Sequence, residues 1–347
     1  MQGGIAIAGA SPLIIPVFVT HLGCPHRCIF CNQHQVSPPM LPHDVEGIVT
    51  RYLSFSSQAG TRRRLVAFYG GSFTGIDDDL LDDYLEVVSR MKEQGIIDGM
   101  KLSTRPDMIF PDMLNRLSRA GCQEVELGAQ SMDDAVLAAS RRGHTRAHTI
   151  EAAALIHHAG IGLGIQLMPG LPGEDRDSFL ATVDAVIALR PQSARIYPTV
   201  VIEGTGLAAC YRQGSYTPLS LEEAERRTLY AYLRLYKKGC KVLRMGIPFP
   251  ETLDVIAGPC HPAFGSLVRA RGFRIMAQQL VARGGNSTGL RVNPSDASDL
   301  LGYRRKTIEE LKFSYSFDET LPRGYVGSDG QGERACLHLG DIIEYIL

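Results

Sequence analysis

Three cysteines stand at the spacing of a metal-cluster loop. Cys24, Cys28 and Cys31 fall at i, i+4 and i+7 within the stretch Thr-His-Leu-Gly-Cys-Pro-His-Arg-Cys-Ile-Phe-Cys-Asn-Gln (residues 20–33), directly after an apolar run. A loop of this pitch can wrap one face of a compact cluster, and soft thiolate ligands select iron–sulfur clusters, zinc or copper(I) over magnesium or calcium. A closed structural site takes four ligands, so three thiolates leave a coordination position for a substrate or cofactor. A zinc knuckle completed by His21 or His26 is the competing arrangement, although zinc motifs are usually assembled from Cys-x2-Cys pairs. The other cysteines, Cys122, Cys210, Cys240, Cys260 and Cys336, are scattered and read as small buried or incidental residues.

Further polar or side-chain-free groups follow short apolar runs. Gly70-Gly71-Ser72 comes after Leu65–Tyr69, where missing side chains let a ligand approach the backbone, unless the turn is merely tight. Ser103-Thr104-Arg105-Pro106-Asp107 closes the next run, and the Arg105 guanidinium matches a carboxylate bidentately or else serves as a surface cap. Gln130 and Arg142 stand twelve residues apart. An amide can pair with ribose hydroxyls and an arginine can hold a carboxylate; solvation of a helix face is the alternative. Gln166 precedes the run Met168-Pro169-Gly170-Leu171-Pro172-Gly173, and Tyr197 follows another apolar run. Arg62-Arg63-Arg64 reads as a solvated loop, whereas Arg304-Arg305-Lys306 is a basic cluster suited to phosphate.

These groups need a scaffold that brings strand ends together. Short β-branched or apolar runs alternate with longer amphipathic stretches from Ile14 to about Thr199, the rhythm of repeated βα units in a parallel sheet. The expected strands are 14–20, 65–69, 100–104, 123–128, 162–167 and 193–199. Between them, helices are expected over 44–56, 79–94, 111–120, 133–140 with 146–158, and 175–188. Six units followed by a different pattern favour α/β architecture of a partial (β/α)6 TIM-type barrel with a small C-terminal α+β appendage. In such barrels the chemistry sits at the carboxyl ends of the strands. A helix over 221–238, a strand near 241–246 and a proline- and glycine-punctuated connection lead to an expected boundary, with a core over 1–258 and an accessory domain over 259–347. The tail reads as strand, helix, strand, a glycine-rich loop over 323–332 and a last amphipathic segment.

The residues quoted above resemble the radical S-adenosylmethionine (SAM) superfamily and, more narrowly, its Elongator catalytic-subunit-like branch; the likeness to oxygen-independent coproporphyrinogen III oxidase is more distant. It is carried by the C-x3-C-x2-C loop with Phe30 before its third cysteine, by Gly70-Gly71, by Glu126-Leu127-Gly128-Ala129-Gln130-Ser131 with Arg141-Arg142-Gly143-His144, and by the run 168–173. It is strong from Ile14 to Leu207 and continues weakly to about Pro259. The resemblance implies that Cys24, Cys28 and Cys31 bind three irons of a 4Fe-4S cluster, and that the fourth iron takes the amino and carboxylate groups of SAM. It further implies that Phe30, Gly70, Gly71, Ser72, Ser103, Arg105, Gln130, Arg142 and Gln166 surround SAM, and that a reductant such as flavodoxin or ferredoxin supplies the electron. The porphyrin-related relatives carry an acid where Ser103 falls and aspartate where Gln166 falls, so the chain departs from them at both positions. Fewer than a hundred residues follow Pro259, too few for the acetyltransferase domain of the Elongator subunit, and a basic N-terminal tRNA-binding segment is also missing.

Composition sets the remaining bounds. Lysine plus arginine number 36 against 37 acids, so no global field draws the chain to nucleic acid or to an anionic membrane, though a local basic patch stays compatible with RNA. No run approaches the roughly 18 apolar residues that span a bilayer, and Met1–Ala10 lacks the basic start of a signal peptide. A thiolate cluster needs reducing conditions, which points to the cytoplasm. The expected activity is reductive cleavage of SAM to a 5′-deoxyadenosyl radical acting on a substrate, with RNA modification first and a porphyrin-like carboxylate second. A non-catalytic haem carrier and a zinc-stapled interaction module are the alternatives from other classes.

Overall fold

The computed structural model describes residues 11–32, 38–55, 62–248, 253–284, 289–329 and 334–346. The signal-peptide reading of 1–10, Gln33 of the cysteine stretch, Pro250 of the expected boundary and residues 330–332 of the expected glycine-rich loop lie outside them.

The βα rhythm is realised as β1 (Leu13–Phe18), α1 (Pro42–Phe55), β2 (Arg64–Tyr69), α2 (Asp78–Glu93), β3 (Gly99–Thr104), α3 (Pro111–Arg119), β4 (Cys122–Gln130), α4 (Asp134–Ala139), α5 (Arg146–His158), β5 (Gly162–Leu167), α6 (Arg176–Ala188) and β6 (Ser193–Ile196). Helix starts are written locally. Asp77 and Asp133 cap α2 and α4 through their carboxylates, while Thr145 with His148 and Asp175 with Ser178 form reciprocal capping boxes at α5 and α6. The strands line up as β1-β2-β3-β4-β5-β6 and then Lys241–Met245 (β8), seven parallel strands curled as a half-barrel, and the partial TIM-type architecture is thereby established.

That seventh strand, β8 (Lys241–Met245), departs from the six-unit expectation: the 241–246 strand joins the same sheet, pairing parallel with β6 in the register Ser193↔Lys241. The sixth strand is shorter than expected and ends at Ile196. Pro198 has no N–H for a ladder bond, and Val201–Ile202 (β7) instead pairs antiparallel with Val255–Ala257 (β9). Between them run α7 (Gly206–Arg212) and α8 (Leu221–Lys237).

The chain divides into two compact units, Met1–Ala129 with Arg141–Ile165, and Gln130–Ser140 with Gln166–Leu347. In the first, Ile15, Val17, Val66 and Phe68 are wholly buried, and Phe68 stacks on Phe73 at 4.3 Å between ring centres. The alternate face of β3 and β4 is polar: Lys101 pairs with Glu124, and Ser103 Oγ donates to Glu126 Oε1 at 2.7 Å. In the second unit, α8 packs on α9 (Phe264–Gly284). The tail adds β10 (Gly289–Val292), α10 (Ala297–Leu301), α11 (Lys306–Leu311), β11 (Ser314–Phe317), β12 (Tyr325–Asp329) and β13 (Arg334–His338), with sheet order β11-β10-β12-β13. Much of the expected glycine-rich loop is therefore strand β12. Tyr325 and Val326 favour the pleat, and Gly327 leaves room for the Arg291 guanidinium, 3.3 Å from where its Cβ would be. No helix among the described residues is long and apolar enough to cross a membrane.

Candidate functional site

The cysteine loop after β1 and the glycine loop after β2 are packed backbone to backbone. Ser72 N–H donates to Leu22 O at 2.9 Å and His21 N–H to Gly70 O at 3.0 Å. Such an approach leaves no room for side chains. A Cβ on Gly71 would lie 2.5 Å from both Leu22 O and Val19 O, and one on Gly75 would lie 2.4 Å from Gly23 O. Gly70 itself has φ +92°, a conformation that favours glycine. Ser72, almost fully buried, places its hydroxyl 3.5 Å from Cys24 Sγ. Cys24 is exposed, and Cys28, Phe30 and Cys31 are partly so, a distribution that leaves three thiols of one loop reachable by a ligand.

Arg142 comes to this loop from the turn between α4 and α5. Its Nη1 donates to Cys28 Sγ at 3.0 Å and its Nη2 to Gly128 O at 2.6 Å. The next residue, Gly143, has φ +74°, and a Cβ there would lie 2.3 Å from the His26 ring, so the turn closes directly on the cysteine loop. Arg105 is equally buried and grips Asp107 bidentately, Nε to Oδ1 at 3.0 Å and Nη2 to Oδ2 at 2.9 Å. Burial opposes the charge of Asp107, but the bonds and positive charge of Arg105 outweigh it and hold the carboxyl below its usual range. Two buried donors here, Arg105 Nη1 and Arg142 Nε, have no hydrogen-bond partner among the described residues, and neither has His144 Nδ1, the acceptor of a ring that donates through Nε2. Buried donors are seldom left so, and a polar, anion-bearing ligand is what the two arginine nitrogens accommodate.

His144 is 3% exposed, and its Nε2 lies 3.3 Å from Ala129 O. Burial first, then the charges of Arg142 and Arg105, push it down to about 3. With the folded value below the ordinary one near 6.5, the unfolded chain takes up a proton that the folded chain refuses. Stability therefore rises with pH between about 3 and 6.5 and is lost on acidification, by on the order of 5 kcal/mol over the whole window. A His144→Asn protein should show a flatter dependence of its urea midpoint on pH between 7 and 4 than the unaltered protein. Parallel curves would remove His144 from this account.

In the second unit, Gln130 carries φ +67° at the end of β4, an uncommon left-handed conformation for a side-chain-bearing residue and the kind held in place at ligand sites. Gln166 Nε2 donates to Gln130 Oε1 at 3.4 Å, so the two amides meet. The run after β5 is pinned by Glu174, whose Oε1 accepts from Gly170 N–H at 2.7 Å and from Arg227 Nη1 at 2.9 Å, while Tyr216 O–H donates to Gly170 O. Among the expected residues, the structure joins Arg142 to Cys28, Ser72 to Cys24 and Gln166 to Gln130. It gives Ser103 to Glu126 and Arg105 to Asp107 instead. Asp107 and His144 were not singled out by sequence. Asp107 is two residues from Arg105, and His144 two from Arg142, but neither spacing marks a partner by itself.

The family model of the radical SAM superfamily matches residues 18–186, and that of the radical SAM C-terminal domain matches residues 191–272. The chain is a radical SAM enzyme. Its relatives include Elongator-like proteins, and members of the superfamily use a 4Fe-4S cluster and SAM. It is similar to the tRNA uridine(34) acetyltransferase of Methanocaldococcus jannaschii, 28% identical over 57% of this chain and 36% of that protein. Elongator complex protein 3 of Danio rerio is 33% identical over 50% of this chain and 32% of its own length. The chain thus spans about a third of the length of these two curated relatives. The structure of the archaeal Methanocaldococcus infernus Elp3 with an N-terminal deletion superposes with a TM-score of 0.62 at 21% identity, covering 78% of this chain and 63% of that one, and shares the fold.

Three soft thiol donors on one loop match a cluster of several irons in chemical type. Among the described residues, these cysteines included, no three His, Cys, Asp or Glu are gathered about one point. The unpartnered donors of Arg105 and Arg142 match the anionic side of SAM in chemical type.

Proposed function

We propose that the enzyme holds its cluster on Cys24, Cys28 and Cys31 and binds SAM with Phe30, Gly70, Gly71, Ser72, Ser103, Arg105, Gln130, Arg142 and Gln166. The observation that carries this reading is the Arg142 bond to Cys28 Sγ, because it puts a buried cation and a buried unpartnered donor beside a thiol of the triad. When bound, the reduced cluster and SAM supply a 5′-deoxyadenosyl radical that abstracts a hydrogen atom from a substrate. Arg105 and Arg142 hold the carboxylate of SAM, the Gln130 and Gln166 amides hold its hydroxyls, and the packed loops exclude water. The electron comes from a low-potential carrier of the flavodoxin or ferredoxin class, in the cytoplasm.

RNA is the substrate class best supported, since the relatives named above include tRNA-modifying proteins and the tail carries a basic and aromatic cluster. Tyr303, Arg304, Arg305 and Lys306 are all exposed, Arg304 lies over the Tyr303 ring at 5.3 Å, and that ring meets His261 edge-on at 5.2 Å. Phosphate contact and base stacking are what such a set offers. On this reading residues 259–347 select the substrate while residues 1–258 perform the chemistry.

Anaerobically reconstituted protein given SAM and dithionite should release 5′-deoxyadenosine. Haem binding without SAM cleavage would replace the enzyme reading with a carrier. A double Arg304→Glu/Arg305→Glu protein should keep uncoupled 5′-deoxyadenosine release and bind transfer RNA at least tenfold more weakly. Unchanged RNA binding would remove the tail from substrate selection.

A further inference from the structure

We infer that Arg142 sets the reduction potential of the cluster through a charge-assisted bond to the Cys28 sulfur, distinct from any contact it makes with SAM. The inference rests on the proposed assignment of Cys24, Cys28 and Cys31 to the cluster. Arg142 is 7% exposed, and its two terminal nitrogens are committed, one to Cys28 Sγ at 3.0 Å and the other to Gly128 O at 2.6 Å. The carbonyl fixes the plane of the guanidinium, so the bond to sulfur does not depend on a third group. Gly143 holds the same turn against His26, with space for nothing larger than hydrogen.

Charge bookkeeping around this bond separates the two buried arginines. Asp107 gives both carboxylate oxygens to Arg105, which is thereby neutralised. Arg142 has no carboxylate partner among the described ion pairs, and the group it faces is the Cys28 thiol. His144, the other titratable group beside it, is held neutral by burial. A guanidinium stays protonated at any working pH, so Arg142 presents a fixed, weakly screened positive charge to a cluster ligand. Reduction of the cluster by dithionite or a carrier adds one electron and breaks no bond. The extra negative charge is stabilised by a nearby cation and by an N–H donor on a ligand sulfur, and both raise the potential.

The test is an EPR-monitored redox titration without SAM, so that altered SAM affinity cannot enter. In Arg142→Gln the midpoint should move negative by about 59 mV or more, a tenfold fall in the reduced-to-oxidised ratio at fixed poise for a one-electron couple. Arg142→Lys, which keeps the charge and loses the fork, should fall between. Equal midpoints in all three proteins with full iron and sulfide would overturn the inference while leaving the cysteine assignment standing. Absence of any cluster from the unaltered protein would instead overturn the assignment, and this inference with it. Should the variants lose the cluster, protein labelled with 15N-arginine and carrying Arg27→Lys serves. Pulsed EPR of its reduced cluster should show a nitrogen coupling from Arg142, and a spectrum without one counts against the bond.

Discussion

Cys28→Ala protein is expected to leave anaerobic reconstitution without a 4Fe-4S cluster and to cleave no SAM, whereas the unaltered protein should take up about four irons and four sulfides. The loss should be complete because two thiolates cannot hold the cluster against chelators, and because Cys28 is also the sulfur that Arg142 grips at 3.0 Å. Removing it strands a buried guanidinium nitrogen, at a cost of roughly 1–3 kcal/mol of stability. Iron and sulfide analysis, with 5′-deoxyadenosine measured by chromatography, gives the answer. Stoichiometric zinc and no iron in unaltered protein purified without oxygen would sink the cluster assignment.

Gly23→Ala should be nearly as damaging without touching a ligand. Its Cβ would stand 2.2 Å from Ser72 O and 2.6 Å from Ile76 N, and the residue has φ +70°. Left-handed backbone costs alanine roughly 1–2 kcal/mol, and separating two packed loops adds about 1–3 kcal/mol more. Because the neighbouring atoms are backbone, no side chain can turn aside to relieve the contact. The expected result is a urea midpoint lowered by an amount equivalent to about 3 kcal/mol, and a cluster that is lost within hours of reconstitution. A variant with unaltered stability and iron content would show that the two loops are not packed as described.

The architecture was legible because periodicity is local: apolar runs near 65–69, 100–104 and 162–167 stand within a residue of the strands that form. The seventh strand was seen as a strand but not as a member of the sheet, since sheet membership is a fact about neighbours and Lys241–Met245 reaches β6 across the whole of α8. The Arg142–Cys28 contact joins residues 114 positions apart, and only the motif resemblance suggested that both belong to one site. Asp107 is not legible as a partner because an acid two residues from an arginine is common on surfaces; the burial of Arg105 is what makes the pairing a neutralising one. Gly23 was hidden for a different reason. A glycine before a cysteine motif reads as ordinary loop composition until the backbone of the neighbouring loop is seen against it.

The sheet ends on β8, and that end is exposed: Lys241, Leu243 and Arg244 all face solvent in large part. A terminal strand carries backbone donors and acceptors that would welcome a strand from another molecule. Here the register sets Arg244 beside Arg195 of β6, with Lys241 at the start of the same strand. Two copies meeting edge to edge would bring four or more cationic side chains into one seam. Like charge along β8 thus opposes strand addition at this edge, a protection that a closed barrel does not need because it has no edge.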